Sequence, residues 1–584
     1  MNVHLIPRLV AAVVLLAAAA GCVSIPESSS VHAGRALDAQ DERPLSSNAP
    51  NGPTPGAGRK EIAAGYLAAM LAFPPAPDVV RQFLTPSAAA EWSPNDRLVV
   101  YTDSDQPRVS EKAKSVVFNA QALGSLDDRG RWSTATTATS AIKAAFTMTR
   151  VNGEWRMRNP LPGSYVDQDY FLTYYGSFAL YYFDPATKIL AADPVHMLLG
   201  DSLATALVKD LLQGPTDDIA GAVSSSVPAT TTIEVGVSIS PQGVAEVPLS
   251  DDIMKLSAND RRLFAAQLAW TLRPLQEIKT VVVTVGGTRI DLGVGKQISI
   301  DDFSGYDPAG LASSRQLYGL TSQGLVAVSD TKTATVAGPI KTVSRGARSA
   351  AVDPDGAEAA VVSGDGSTVT VSGLGSAATG TSVWFRGGDS VLRPSWDIYG
   401  VLWLVDNRPD GARLFVANSS GTKEVDAPGL TGKAVHSIAV SRDGVRLAAV
   451  VGRTGHRHLV ISVIDRDPQA PATLSLRAAQ RVVTAGIPPQ RVSSVSWFSP
   501  TSVAALGDVV GGQPEPSEFS IDGSLVAPFG GFLPIKPISL ASGPNLDTPA
   551  VIGDSRGQVF MQTPDSQWLQ IGGSAKIRDP FYPG

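Results

Sequence analysis

Apolar positions recur at helical spacing in some stretches of the chain and at strand spacing in others, and the changes of period divide it. Ile62, Tyr66, Met70 and Phe73 lie four, four and three apart, which predicts one face of a helix ended by Pro74-Pro75. A second short helix is expected over 79–84. Strand-like runs follow at 98–102, 115–123, 138–150 and 154–158, with Val151-Asn152-Gly153 as a hairpin turn. Helices followed by paired strands predict a small α+β domain, placed at residues 59–185.

An aromatic run comes next: Tyr170, Phe171, Tyr174, Tyr175, Phe178, Tyr181, Tyr182 and Phe183. Stacking on sugars is one reading. A strand used in interdomain packing is the other and the preferred one, because Phe178, Leu180 and Tyr182 alternate and no cluster of acids or amides accompanies them. Beyond it, Asp201 is a candidate N-cap for a helix carrying Leu203, Leu207 and Leu211, stopped at Gly214-Pro215. Strands are expected at 232–238 and 243–249. Ser257 or Asn259 caps a further helix with Phe264, Leu268, Leu272 and Leu275 on one face, and Thr280–Val285 reads as a β-branched strand ending in Gly286-Gly287. This is a second α+β domain, residues 186–303. The words Leu-Leu-Gln-Gly-Pro at 211–215, Val-Ala-Glu-Val-Pro-Leu at 244–249 and Gln-Leu-Ala-Trp-Thr-Leu at 267–272 resemble the GerMN domain, a module of sporulation and other envelope proteins.

From residue 304 to 584 helical periodicity vanishes, and short apolar runs alternate with Asp-Gly, Ser-Gly and Pro turns. The segments Ala351–Gly356, Ser395–Gly400 and Ala439–Gly444 recur about 44 residues apart, each before an apolar strand, and a fourth copy begins at Val495-Ser496-Trp497. That period is the size of a propeller blade. About six blades are expected, with 318–328 the first strand pair and 558–571 the last. The fold class is therefore multidomain: two small α+β domains, the second GerMN-like, followed by an all-β propeller.

The start of the chain has a different logic. One positive side chain, Arg8, precedes an apolar run from Leu9 to Ala20, too short to cross a bilayer comfortably, and then comes Gly21-Cys22. Residues 1–21 read as a signal peptide. Cys22 follows Ala19-Ala20-Gly21 and is the sole cysteine in 584 residues. The stretch resembles a bacterial lipobox, with Ala19 where leucine is commonest, and this implies cleavage before Cys22 and lipid on its thiol. Residues 22–58, rich in Ser, Pro, Ala and Gly, read as a disordered tether, whose r.m.s. reach as a flexible coil is roughly 30–35 Å.

Composition narrows the function classes. With one cysteine the exported part has no internal disulfide and no cysteine-based metal site, so its stability comes from packed cores, for which 43% hydrophobic residues suffice. A net charge of -6, from 48 basic and 54 acidic residues, without a dense basic block, argues against nucleic acid.

Candidate chemistry is sparse. Gly293-Val-Gly295-Lys296 lacks the early glycine and the hydroxyl of a phosphate loop and reads as a turn. Asp353-Pro-Asp355-Gly356 begins like a calcium loop, but Ala357, Ala359 and Ala360 replace the later ligands, leaving a blade turn. His456 and His458 would share a strand face but have no third metal ligand to join them. Asp251-Asp252 and Asp301-Asp302 read as solvated caps rather than paired glycosidase carboxylates. No Gly-x-Ser-x-Gly or His-Glu-x-x-His pattern occurs. The expectation is a protein that is not an enzyme and holds no metal or cofactor.

The order of lipobox, tether, α+β domain, GerMN-like domain and propeller resembles the actinobacterial LpqB lipoprotein family over essentially the whole chain. The resemblance implies a lipoprotein on the extracytoplasmic face of the cell membrane that binds the extracellular domain of the sensor histidine kinase MtrB. It would thereby influence phosphorylation of the regulator MtrA, with effects on cell-wall homeostasis and division. A lipoprotein that binds cell-wall glycan or peptidoglycan without kinase coupling, and an unrecognised propeller hydrolase, are the competing classes.

Overall fold

Three short helices open the first domain: α1 (Arg59–Ala69), α2 (Pro77–Arg81) and α3 (Pro86–Glu91). The computed structural model describes residues 49–102, 110–112, 115–136, 139–310, 315–470, 472–484, 490–508, 512–543 and 548–584. Cys22 and the tether up to residue 48 lie outside the described residues. At the start of α1 the Gly58 N–H donates to the Glu61 carboxylate at 2.8 Å, satisfying a donor that the helix leaves free. The expected face is buried at Ile62 and Tyr66, but the helix stops at its C-cap Met70, ahead of Pro74-Pro75.

The buried face of α1 packs on a sheet built from β1 (Leu98–Thr102), β2 (Ser110–Lys112), β3 (Ser115–Leu126), β4 (Trp132–Thr134), β5 (Ala141–Val151), β6 (Glu154–Met157) and β7 (Ser164–Asp167). Its strand order is β6-β5-β3-β1-β7, with β2 and β4 both on β3. Asn152 and Gly153, at φ 51° and 83°, form the β5–β6 turn, the left-handed pair that Asn-Gly favours. Val99, Val116, Phe118, Phe146 and Met157 meet Ile62 and Tyr66 in one core. Each such side chain contributes roughly 1.5–3 kcal/mol by leaving water.

The aromatic run divides between two elements. Tyr170, Phe171 and Tyr174 lie on α4 (Gln168–Tyr174), capped by Asp167, whose carboxylate accepts from the Tyr170 N–H at 2.7 Å. This corrects the expectation of a strand for those three, because an aspartate cap outweighs the β-propensity of aromatic residues. The strand is β8 (Tyr175–Phe183), with Leu180 and Tyr182 buried, and it forms a hairpin with β9 (Leu190–Leu198). Side chains from both strands join the core of the second domain.

That core also receives α5 (Leu203–Leu212) and α6 (Ala258–Leu272), together with β10 (Ser238–Ile239), β11 (Val244–Pro248), β12 (Thr280–Val285), β13 (Thr288–Arg289) and β14 (Ile298–Ser299). The sheet order is β10-β11-β12-β13, with β14 on the edge of β12 and β11 parallel to β12. Ser202, not Asp201, is the N-cap of α5. The strand expected at 232–238 shrinks to β10 and an isolated bridge from Ile233 to Leu249. Ser257 caps α6, accepting from the Asp260 N–H at 3.1 Å.

The GerMN-like words hold this domain together. Gln267, fully buried on α6, donates to the Tyr181 carbonyl at 2.8 Å and accepts from the Ser226 N–H at 3.1 Å, fastening helix, hairpin and loop. Trp270 Nε1 donates to the Phe303 carbonyl at 3.2 Å. Gly214, at φ 85°, ends α5 in the left-handed region that glycine adopts without strain.

The remainder forms, among the described residues, six antiparallel sheets whose first strands begin at Leu317, Ser349, Ser395, Val435, Gln490 and Ser539. Each first strand touches that of the following sheet. Cores alternate with sheets: Ala351, Val362 and Val371 of the second pack against Trp396, Leu402 and Phe415 of the third. The 44-residue repeat is a turn between the first and second strands of a sheet. Asp353 Oδ1 accepts from the Ala357 and Glu358 N–H groups at 2.7 and 2.9 Å, and Asp397 Oδ1 from those of Tyr399 and Val401 at 2.9 and 3.0 Å. In the third copy Ser441 Oγ accepts from the Arg446 N–H at 2.9 Å. One pairing has no counterpart in the sequence reading: Arg578–Phe581 lies alongside Leu317–Thr321, with Phe581 opposite Tyr318.

Candidate functional site

The β8–β9 hairpin is the keystone of a seam joining the two small domains to the repeat sheets. In its loop, Asp184 is buried and accepts from the N–H groups of Ala186, Lys188 and Ile189 at 2.9, 2.6 and 2.7 Å. The same carboxylate accepts a hydrogen bond from the Tyr399 hydroxyl of the third sheet. Burial, then the charge of Asp184, pushes the Tyr399 phenol far above its usual range, so it stays a donor. The Arg466 guanidinium lies 4.5 Å from the Tyr399 ring and 2.6 Å from Asp397 Oδ2. With side chains 1% and 0% exposed, Arg466 and Asp397 are a fully desolvated pair. Trp403 Nε1 also donates to Asp397 Oδ2, at 2.9 Å.

Farther along, the chain's own carbonyls receive arginines from the repeats. Arg446 Nη2 donates to Ala192 on β9 at 2.8 Å. Arg477 donates to the carbonyls of Asp218 and Ala220 at 3.1 and 2.5 Å while held by Asp465. At the far end His196 joins all three domains. Its N–H donates to the Gly130 carbonyl at 2.7 Å, its ring faces Trp132 and Phe171, and its Nε2 lies 2.9 Å from Asp522 of the fifth sheet. Arg129, on the loop before β4, donates to the Gly214 carbonyl at 2.6 Å and ties the first domain to the end of α5.

Between the hairpin loop, residues 304–310 and the repeat turns lies a cavity of about 210 Å³. Lys188, Ile189, Asp353, Asp355, Ile398 and Arg442 are among its lining residues. Arg442 is buried, and its Nη2 donates to the Pro583 carbonyl. Burial lowers its guanidinium to about 10, with Asp355 pulling the other way.

The residues singled out from sequence are scattered. His456 lies in the turn before the strand His458–Arg466, so the two imidazoles do not share a strand face, contrary to the expectation. Among the described residues no three His, Cys, Asp or Glu side chains are grouped to hold a metal. Asp252 pairs with Lys255, Asp301 lies 3.4 Å from Arg273, and Asp302 accepts from the Ser299 N–H at 2.8 Å. Gly293 and Gly295 donate to Asp291 at 2.7 and 3.2 Å in a turn. Asp353 and Asp355 do sit together, at the cavity. Sequence reading missed the seam itself: Asp184, His196 and Arg466 carry no local motif, and Arg442 lies in a repeat turn whose spacing does not mark it. Their one signal is a charged or polar residue inside an otherwise apolar strand or turn. No helix among the described residues is long and apolar enough to cross a membrane.

Comparison with known proteins matches these three bodies one by one. A family profile described as "Lipoprotein LpqB, N-terminal domain" covers residues 52–172, one described as "Sporulation and spore germination" covers 179–291, and "Lipoprotein LpqB beta-propeller domain" covers 323–583. Lipoprotein LpqB of Thermobifida fusca is 28% identical over 97% of each chain, and that of Streptomyces coelicolor 28% identical over 88% of each. Among solved structures, TolB from Acinetobacter baumannii aligns with 57% of this chain and 87% of its own at 12% identity and a TM-score of 0.33, too low to bear on the fold. Matched in order by both named LpqB domains with the germination module between them, and by relatives along nearly its whole length, the chain belongs to the LpqB lipoprotein family.

Proposed function

We propose that this chain is a lipid-anchored, non-catalytic docking protein on the extracytoplasmic face of the cell membrane. Its partner would be the extracellular domain of a sensor histidine kinase of the MtrB kind. The anchoring is carried by one observation: the sole cysteine, Cys22, follows Ala19-Ala20-Gly21 in a chain that belongs to a family of lipoproteins. The kinase coupling rests on the family likeness. The six sheets would close into a propeller through the pairing of Arg578–Phe581 with Leu317–Thr321.

Sharing a membrane plane raises the effective concentration of anchored protein and kinase, so a weak contact suffices for coupling. To change signalling, the protein must bind one kinase state more tightly than the other. The test is crosslinking in membranes followed by pull-down, comparing wild type with Cys22→Ala. Wild type is expected to stay with the membrane and recover the kinase, and the variant to lose both. Recovery of wall glycan without kinase by anchored wild type replaces this reading with a glycan-binding lipoprotein.

A further inference from the structure

The cavity beside the hairpin loop is lined by charges of both signs, and the Lys188 ammonium also lies 5.1 Å over the Tyr399 ring. The cavity's volume is about 210 Å³. That is below the roughly 300–1,000 Å³ of sites for drug-sized ligands, so an occupant is small. Lys188 and Arg442 supply positive charge. Arg442 is 9% exposed and, among the described residues, has no side-chain carboxylate within ion-pair distance; its hydrogen bond goes to a neutral carbonyl. Asp353 and Asp355 from the turn of the second sheet, and Asp307, supply negative charge, Asp355 being exposed to solvent. Asp397 also lines the space but is neutralised by Arg466.

A simple anion placed here is repelled by Asp307, Asp353 and Asp355, and a simple cation by the lysine and the guanidinium. A small molecule carrying both charges satisfies both. We propose that the cavity binds an amino-acid-sized zwitterion, its carboxylate held by Arg442 and Lys188 and its ammonium by the Asp353–Asp355 turn. The Arg442 guanidinium, with Nη2 held by the Pro583 carbonyl, supplies fixed positive charge beside the Lys188 ammonium, and Ile189 and Ile398 provide apolar surface for a short side chain. Lys188 and Ile189 belong to the hairpin loop and Asp353, Asp355, Ile398 and Arg442 to the repeat sheets, so an occupant bridges two domains and favours their docked arrangement.

The experiment is titration calorimetry of the full-length chain in detergent, with alanine and alanylalanine as probes and acetate and methylammonium as single-charge controls. Saturable heat is expected for at least one zwitterion and for neither control. Lys188→Ala and Asp355→Asn change exposed side chains and should keep the wild-type melting temperature while weakening binding by about tenfold each, a loss of ~1.4 kcal/mol. Arg442→Met is expected to abolish the signal. The proposal is overturned by no saturable heat for either zwitterion at millimolar concentration, by acetate binding as tightly as alanine, or by unchanged affinity in the folded Asp355→Asn variant.

Discussion

Asp397 shows how one residue of the repeat turn acquires two tasks. Its Oδ1 closes the turn through the Tyr399 and Val401 N–H groups, and its Oδ2 takes Trp403 and Arg466. Because both charges are out of water, removing one strands the other. Asp397→Ala is expected to cost about 3–5 kcal/mol, seen as a lowered melting temperature of the repeat domain. Arg413→Ala, whose partners Asp410 and Glu424 lie on the open surface, should leave that temperature unmoved. Equal losses in the two variants would contradict the distinction between buried and exposed pairs. The repeat motif alone gives Asp397 its turn role, since that needs local spacing. Its partner Arg466 lies 69 positions away, and no local pattern specifies it.

Helix α6 illustrates the scale of elements. Fifteen residues long, it carries ten buried side chains, among them polar Gln267 and Thr271, so it is enclosed on most sides by sheet, hairpin and loop. Its start depends on Ser257, which holds the Asp260 N–H at 3.1 Å. Ser257→Ala is expected to destabilise the second domain by about 1 kcal/mol, and Ser257→Asp to retain most of the stability. Denaturant melts of the three proteins check this, and an alanine variant as stable as wild type would mean the cap contributes nothing. The apolar period of α6 and the β-branched run of β12 were both legible, because each follows from spacing within one segment. The strand expected at 232–238 was not formed as such: β-branched residues favour a strand, but only Ser238–Ile239 pairs as a strand with β11, and Ile233 makes a single bridge to Leu249.

At the scale of the whole molecule, stability depends on joints between distant segments. His196 and Asp522 are 326 residues apart and 2.9 Å from each other, with side chains 6% and 9% exposed. Burial by itself raises the Asp522 carboxyl. The hydrogen bond and charge of His196 and the Ser524 donors outweigh this and hold it at about 2. An unfolded aspartate titrates near ~3.9. The folded carboxylate therefore contributes stability that is full above about pH 4 and is lost as the pH falls through about 2, roughly 2–3 kcal/mol in all. Asp522→Asn should melt at a lower temperature than wild type at pH 7, and the difference should shrink as the pH falls from 4 toward 2. A difference independent of pH would assign that acid sensitivity elsewhere. Phe581, buried at the pairing of the last strand with the first sheet, tests the proposed ring. Phe581→Ala is expected to cost about 3–5 kcal/mol and to expose the 578–584 segment to hydrogen exchange. Unchanged protection there would count against closure.

The sequence by itself determined what depends on neighbours along the chain. Helix faces such as Ile62 and Tyr66, the Asn152-Gly153 turn, the Ser257 cap and the Asp- or Ser-started, Gly-ended turns of the 44-residue repeat all arise from local geometry and hydrogen bonding, so their residue types announce them. The order of domains followed from changes in that local pattern. Only the tertiary structure decided which charges meet. Asp184 faces Tyr399, Arg466 faces Asp397, His196 faces Asp522, and Arg442 lies with Asp355 around one cavity. Hydrogen bonds and ion pairs act over a few ångströms in space, while these partners lie tens to hundreds of residues apart, and only the packing of cores against each other brings them within reach.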